Sequence, residues 1–267
     1  MRAAAMTVLD QIMARKRAEL LLEQARTPLH EIEALPRPQR RSFREALEMA
    51  RPAIISEIKK ASPSAGVIAG EFDPAAIAAG YEAGGAAALS VLTDLQFFQG
   101  SLVDLEAARA ATSLPVLRKD FSFDRYHLFQ AAAAGADAVL LIVAALTDYE
   151  LVDLMREAGE LELDALVEVH NETELDRALA AGAELIGVNN RNLKTLEVSL
   201  GTSFELAEKI PGGVLSISES GIRSADDIRR LMEAGYRGFL IGESLMKRDA
   251  PGAALAELIQ GVRTSAA

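Results

Sequence analysis

Short apolar runs, each followed by charged or amide side chains, recur along this chain between alanine-rich segments of helical period. Four segments share one order of signals: EAGGAAALSVLTD, AAGADAVLLIVA, AAGAELIGVNN and EAGYRGFLIGES. Each closes a helix and opens a strand. Gly84, Gly135, Gly182 and Gly235 stand where a helix C-terminus favours a residue able to adopt positive φ, and a leucine-rich or β-branched run follows each one. Adding Ala53–Ile58, Pro115–Asp120, Ala165–Val169 and Val214–Ser218 gives eight predicted strands, near residues 54, 88, 116, 139, 166, 186, 215 and 239. Their alternation with helices predicts a parallel sheet with helices outside. That many units in a chain of 267 residues fit a closed (β/α)8 TIM barrel better than an open doubly wound sheet. No GxGxxG follows any predicted strand, which weakens the dinucleotide-binding alternative further.

Residues 1–50 read as an N-terminal helical extension and residues 51–267 as the barrel, together one domain. Val8, Leu9, Ile12, Met13, Leu20 and Leu21 recur at helical spacing, with Thr7 as a cap, and Pro36-Arg37-Pro38 marks a break. Arg15, Lys16, Arg17 and Glu19 interrupt the first apolar stretch, so no signal peptide is expected, and no run reaches the ~18 apolar residues of a membrane span.

A net charge of -11 argues against a non-specific nucleic-acid partner, while leaving room for a small anionic substrate in a local basic pocket. The chain has no cysteine, which excludes disulfides and thiolate metal sites and suits the cytoplasm. A monomer is expected.

In such barrels chemistry sits at the C-terminal ends of the strands. Unusual polar residues cluster there: Glu57-Ile58-Lys59, Lys119-Asp120-Phe121, Glu168-Val169-His170, Asn189-Asn190-Arg191 and Ser218-Glu219-Ser220-Gly221. Side chains alternate along a strand, so Glu57 and Lys59 share the face of Ile55, opposite Ile54 and Ile58. Lysines and glutamates facing one mouth shift each other's pKa values, which separates acid from base at neutral pH. Ser220-Gly221 and Gly242-Glu243-Ser244 each lead toward a predicted helix, where backbone N–H groups form an anion site. His30 and His127 have no partners at metal-ligand spacing and are read as structural. His170 shares a face with Glu168 and is expected to pack; no metal site is expected. Phe97 and Phe98 are open to two roles, as a core plug or as a wall for a flat substrate.

These residues resemble the indole-3-glycerol phosphate synthase family of tryptophan biosynthesis. The resemblance rests on IISEIKKASPSAG (54 to 66), SVLTDLQFFQGS (90 to 101), PVLRKDF (115 to 121), ALVEVHN (165 to 171), IGVNNRNL (186 to 193), SISESGI (216 to 222) and FLIGESLM (239 to 246). It implies a barrel that closes the pyrrole ring of 1-(2-carboxyphenylamino)-1-deoxyribulose 5-phosphate with loss of carbon dioxide and water, using no cofactor. On that resemblance Lys119 is expected as the acid for ring closure and Glu168 as the base. Lys59 is open to two roles, as a second acid or as the partner of the substrate carboxylate. Glu57 and Glu219 are expected to orient lysines and sugar hydroxyls, and Asn189 to offer a neutral hydrogen-bonding group. Ser62, Phe98, Phe121, Arg191 and Ser220 are expected to contact substrate. Gly221, Gly242 and Glu243 are expected to hold the phosphate through backbone N–H groups. Some family members carry a small residue where Glu243 stands, and a carboxylate there has to turn away from phosphate.

A phosphoribosylanthranilate isomerase would share the phosphate grip, but its acid/base pair is typically Cys and Asp, and this chain lacks cysteine. A binding-only barrel would need no paired acid and base groups, which Lys119, Lys59 and Glu168 supply.

Overall fold

A computed structural model describes residues 7–264 apart from 64, 69, 71 and 194, so Ser64 of the first motif lies outside the described residues. Among the described residues eight parallel strands close into a barrel: β1 (Ala53–Ile58), β2 (Ala88–Leu92), β3 (Val116–Lys119), β4 (Ala138–Ile142), β5 (Asp164–Val169), β6 (Leu185–Asn189), β7 (Leu215–Glu219) and β8 (Gly238–Ile241). Neighbours in sequence pair in space, and β1 closes on β8 with Ala53 opposite Gly238 and Ser56 opposite Ile241. Helices lie between the strands in sequence, as the alternating pattern requires.

Strand alternation sorts the core into two layers. Outward residues such as Ile54, Ile58, Val91, Val139, Val167 and Phe239 meet the helices. Inward residues such as Ile55, Leu117, Leu140, Leu166, Ile217 and Leu240 fill the barrel. The expected split of Ile55 from Ile54 and Ile58 therefore holds.

The N-terminal helices cover opposite ends of this barrel. Helix α1 (Val8–Arg26) opens with a capping box in which Thr7 Oγ1 accepts the Asp10 N–H at 3.1 Å and Asp10 Oδ2 accepts the Thr7 N–H at 2.8 Å. Its buried stripe is Leu9, Ile12, Met13, Lys16 and Leu20. Leu21, expected in that stripe, is exposed, and Lys16 is buried instead because Asp120 holds its ammonium at 2.9 Å. A short helix α2 (Leu29–Glu33) follows, and α3 (Phe43–Met49) then drives the fully buried Phe43 and Leu47 into the inner layer at the strands' N-terminal end.

Gly135, Gly182 and Gly235 adopt φ of +84°, +82° and +104°, as the pattern predicts. At the first repeat the left-handed position is Gly85, with φ +92°, rather than Gly84. Gly84 keeps helical dihedrals and is small for another reason: a Cβ there would collide with the Gly252 carbonyl of the C-terminal helix Pro251–Thr264.

Candidate active site

The barrel's C-terminal mouth opens into a cavity of about 690 Å³. Odd-numbered strands each send one charged residue to its floor: Glu57 from β1, Lys119 from β3, Glu168 from β5 and Glu219 from β7. One inward layer of a (β/α)8 barrel is built from alternate strands, so these four side chains meet as a layer. Lys119 Nζ lies 2.7 Å from Glu168 Oε2 and 2.7 Å from Glu219 Oε2. Glu57 pairs with Lys59 just past the end of β1. Even strands make room. A Cβ at Gly187 would strike the Glu219 carboxylate, and one at Gly242 would strike that of Glu57.

Strand parity also explains the Lys119-Asp120 pair. Lys119 points into the mouth, while Asp120 points out, where Arg118, Thr93 and Lys16 of α1 hold it. The helix over the mouth is thus tied to the residue beside Lys119, and Val8, Leu9 and Ile12 of α1 line the cavity. Those contributions were missed in the sequence because they join segments far apart in the chain; the buried position of Lys16 in an apolar stripe was the available signal.

Burial alone disfavours the Lys119 ammonium, but Glu168, Glu219 and Glu57 outweigh it and hold its pKa above the ordinary lysine value. Burial likewise pushes Glu168 up, yet Lys119 and His170 win and keep it well below the usual carboxylate range. Glu219 goes the other way: burial dominates, Glu168 adds repulsion, and its pKa rises to about 7 in spite of Lys119. Glu219 Oε1 is buried without a hydrogen-bond partner among the described residues. The mouth therefore presents a charged acid, an ionised carboxylate and a carboxyl able to carry a proton near neutral pH.

Phe98 and Phe121 form an aromatic wall with ring centroids 6.3 Å apart, and both line the cavity; Phe97 does not. Asn189 reaches the cavity and accepts the Arg191 N–H at 3.0 Å. Ser62, in the short strand Ala61–Ser62 that follows β1 and pairs with Gly66–Val67, and Ser220 also line it. Asn190, quoted in the motif but given no role there, is buried and donates to Ser218 Oγ, the Glu219 carbonyl and the Ser220 carbonyl at 2.9 to 3.1 Å. It fixes the chain where β7 meets the mouth.

Gly221, Gly242 and Glu243 lie at one side of the cavity. Gly242 caps the short helix Glu243–Met246 without a side-chain cap bond, as expected for free backbone donors. After β7 the expectation needs correction. The next helix, Ala225–Glu233, starts beyond Ser220-Gly221 and is capped by Ser224 and Asp227. Ser220 and Gly221 instead form a left-handed turn, with φ of +66° and +83°, and any anion contact there comes from a backbone concavity rather than a helix end. The Glu243 carboxylate lies on the cavity wall between two cations: Lys247 Nζ is 2.6 Å from Oε1 and Arg191 Nη2 is 3.7 Å from Oε2.

The family model described as indole-3-glycerol phosphate synthase matches residues 9–258. The chain belongs to the indole-3-glycerol phosphate synthase family. A relative of that name from Polaromonas sp. strain JS666 is 48% identical over 94% of this chain and 97% of its own. One from Chromobacterium violaceum is 49% identical over the same shares. Among solved structures, a 3-hexulose-6-phosphate synthase aligns with a TM-score of 0.63 at 16% identity, covering 79% of this chain and 99% of that one. A thiamine phosphate pyrophosphorylase from Pyrococcus furiosus aligns at 0.59 and 17%, covering 80% and 96%. Likeness at that identity concerns the barrel alone. The synthase family match takes in α1, which lines the cavity, together with every barrel strand. Among the described residues no helix is long and apolar enough to cross a membrane, and no cluster of three or more His, Asp or Glu is arranged to hold a metal ion.

Proposed function

We propose that this mouth carries out the indole-3-glycerol phosphate synthase reaction on 1-(2-carboxyphenylamino)-1-deoxyribulose 5-phosphate, with Lys119 and Glu168 as its principal acid and base. The observation that carries the assignment is the Lys119 ammonium, hydrogen-bonded to both Glu168 and Glu219 on the cavity floor.

Ring closure joins the aromatic carbon bearing the carboxylate to the substrate's ketone carbon, and the ketone oxygen gains negative charge as the bond forms. Lys119 protonates that oxygen. Loss of carbon dioxide then returns its bonding pair to the ring and restores aromaticity. The new hydroxyl leaves as water with a proton from an acid, while Glu168 removes a proton from the adjacent carbon and the pyrrole forms. Lys59 binds the carboxylate before it departs and supplies the second acid, oriented by Glu57. Glu219 orients Lys119 and the sugar hydroxyls, and Asn189, Ser62, Arg191 and Ser220 complete the polar rim. Phe98 and Phe121 flank the aromatic ring, and backbone N–H groups at Gly221, Gly242 and Glu243 receive the phosphate.

On this reading the helical segment 1–50 and the barrel 51–267 act as one unit, supported by the Lys16–Asp120 pair and by Phe43 and Leu47 inside the barrel. The enzyme works as a monomer in the cytoplasm on a diffusible phosphorylated substrate, without nucleic acid; the absence of cysteine supports the compartment and the net charge of -11 the lack of a nucleic-acid partner. The test is incubation with that substrate while indole absorbance and fluorescence are followed. The chain contains no tryptophan, so the product signal has little protein background. Absence of indole formation by well-folded protein overturns the reading.

A further inference from the structure

One buried titratable side chain at the mouth takes no part in these roles. His170 follows β5 immediately, two positions beyond Glu168, and its ring stands between two carboxylates. Nε2 lies 3.3 Å from Glu168 Oε1, and Nδ1 lies 2.9 Å from Glu174 Oε2. Glu174 is outside the mouth, in the first turn of the helix Glu172–Ala180. Its carboxylate is tightly placed: Oε2 also accepts the His170 N–H at 2.8 Å, and Oε1 accepts from Asn171 Nδ2 at 2.6 Å. Asn171 Oδ1 in turn accepts the Glu174 N–H at 3.0 Å.

This geometry dictates the ring's protons. Glu174 is an acceptor, so Nδ1 carries hydrogen. A neutral ring would then leave an Nε2 lone pair 3.3 Å from the Glu168 carboxylate, electron-rich nitrogen close to an anion. Protonation of Nε2 removes that conflict and gives a charge pair, although the 3.3 Å approach is not aligned as a hydrogen bond. Burial opposes the charge, but Glu168 and Glu174 outweigh it and lift the ring's pKa to about 9.

The charge balance across the floor shows what this achieves. Lys119 from β3 serves Glu168 and Glu219 at equal distance, leaving two buried carboxylates to one cation. Of the pair, only Glu168 has His170 beside it. We propose that His170 is a positioning residue: held as an imidazolium by Glu174, it keeps Glu168 ionised and oriented as the base and leaves Glu219 as the carboxyl that takes up a proton. The proposal rests on Glu168 being the base.

Two measurements test it. With three histidines in the chain, the ring nitrogens can be followed by NMR in the unaltered protein from about pH 5 to about pH 10. His170 is expected to hold both ring protons at neutral pH and to titrate near 9; a neutral ring at pH ~7 overturns the proposal. The second is the pH profile of kcat/KM. Loss of a cationic neighbour makes Glu168 harder to ionise, so in His170→Gln the acid limb moves to higher pH by about one unit or more, with KM within about twofold. Glu174→Gln keeps the helix cap and moves the limb less, because the His170 ring is still protonated at low pH. A structural role alone would lower Tm without moving the limb. An unmoved limb in folded His170→Gln, with Glu168→Gln inactive, overturns the positioning role of His170. Turnover retained in Glu168→Gln overturns the base assignment and the proposal with it.

Discussion

Both ends of this barrel bury ion pairs, and the difference between them separates structure from chemistry. At the strands' N-terminal end, Asp137 has its acceptors filled: Oδ1 takes the Arg41 N–H at 2.8 Å, while Oδ2 takes the Val116 N–H at 2.9 Å and the Arg109 guanidinium. Arg109 also donates to the Gln39 carbonyl at 2.6 Å, and Phe43 and Leu47 seal the interior beside it. At the C-terminal end, Lys119 is shared by two carboxylates, Glu219 keeps an oxygen without a hydrogen-bond partner among the described residues, and the group opens onto a cavity. A satisfied network holds the chain in place. An unsatisfied one keeps donors and acceptors in reserve for a substrate, at some cost in stability.

The sharpest way to break this contrast is to remove the central charged residue at each end, the Lys119 cation at the mouth and the Asp137 anion at the opposite end. Lys119→Met is expected to lower kcat by at least about a thousandfold while KM stays within about tenfold, since the ammonium acts mainly on charge that develops in the transition state. Retention of more than a few per cent of the rate would transfer the ring-closure acid to Lys59. Asp137→Ala is expected to do the opposite. It leaves the Arg109 charge buried and costs about 3–5 kcal/mol of stability, read as a lower Tm, with kcat per folded molecule unchanged. The helical segment and the barrel are expected to unfold in one transition; two separate transitions would divide them.

How much of this contrast is visible in the sequence depends on the range of the interaction. Strand alternation placed Glu57, Lys59, Lys119, Glu168 and Glu219 at one mouth, because the period of two is local and strict. The (β/α)8 order was legible for the same reason. Gly242 shows where local reasoning stops. Its expected role was to let backbone approach phosphate, but its missing Cβ also leaves the space that the Glu57 carboxylate occupies. Gly187 does the same for Glu219, and nothing near it in the chain announces that. Asp120 reads as part of a catalytic motif, whereas its side chain serves α1 through Lys16. Contacts across a barrel have no period, so the partners appear only once the sheet closes.

The glycines at the phosphate side sharpen the contrast within the mouth itself. Gly221→Ala places a Cβ 2.7 Å from Val198 Cγ1 at a φ of +83°, so the turn must shift. KM is expected to rise about tenfold, and the inhibition constant of inorganic phosphate with it, while kcat falls less. Gly242→Ala displaces Glu57 as well, and its kcat is expected to drop further than in Gly221→Ala. Unchanged phosphate inhibition in both folded variants would move the phosphate away from β7 and β8.

The smallest expected effect comes from Glu243, whose carboxylate stands beside the proposed phosphate site yet is drawn off by Lys247 and Arg191. Its pKa is lowered, chiefly by the bond to Lys247, so the group is anionic at neutral pH. Lys247 is largely exposed, and such a pair contributes at most about 1 kcal/mol to folding. Glu243→Ser should therefore leave Tm nearly unchanged. It keeps the backbone N–H at the start of the helix Glu243–Met246 and releases Lys247 and Arg191 toward the anion. Inorganic phosphate is expected to inhibit about two- to fivefold more strongly than in the parent, with the gain shrinking as salt is added because Lys247 faces solvent. Weaker inhibition in the serine variant would mean that Glu243 holds Arg191 and Lys247 in the orientation the phosphate needs, and the carboxylate would then belong to the anion site as an organiser rather than stand aside from it.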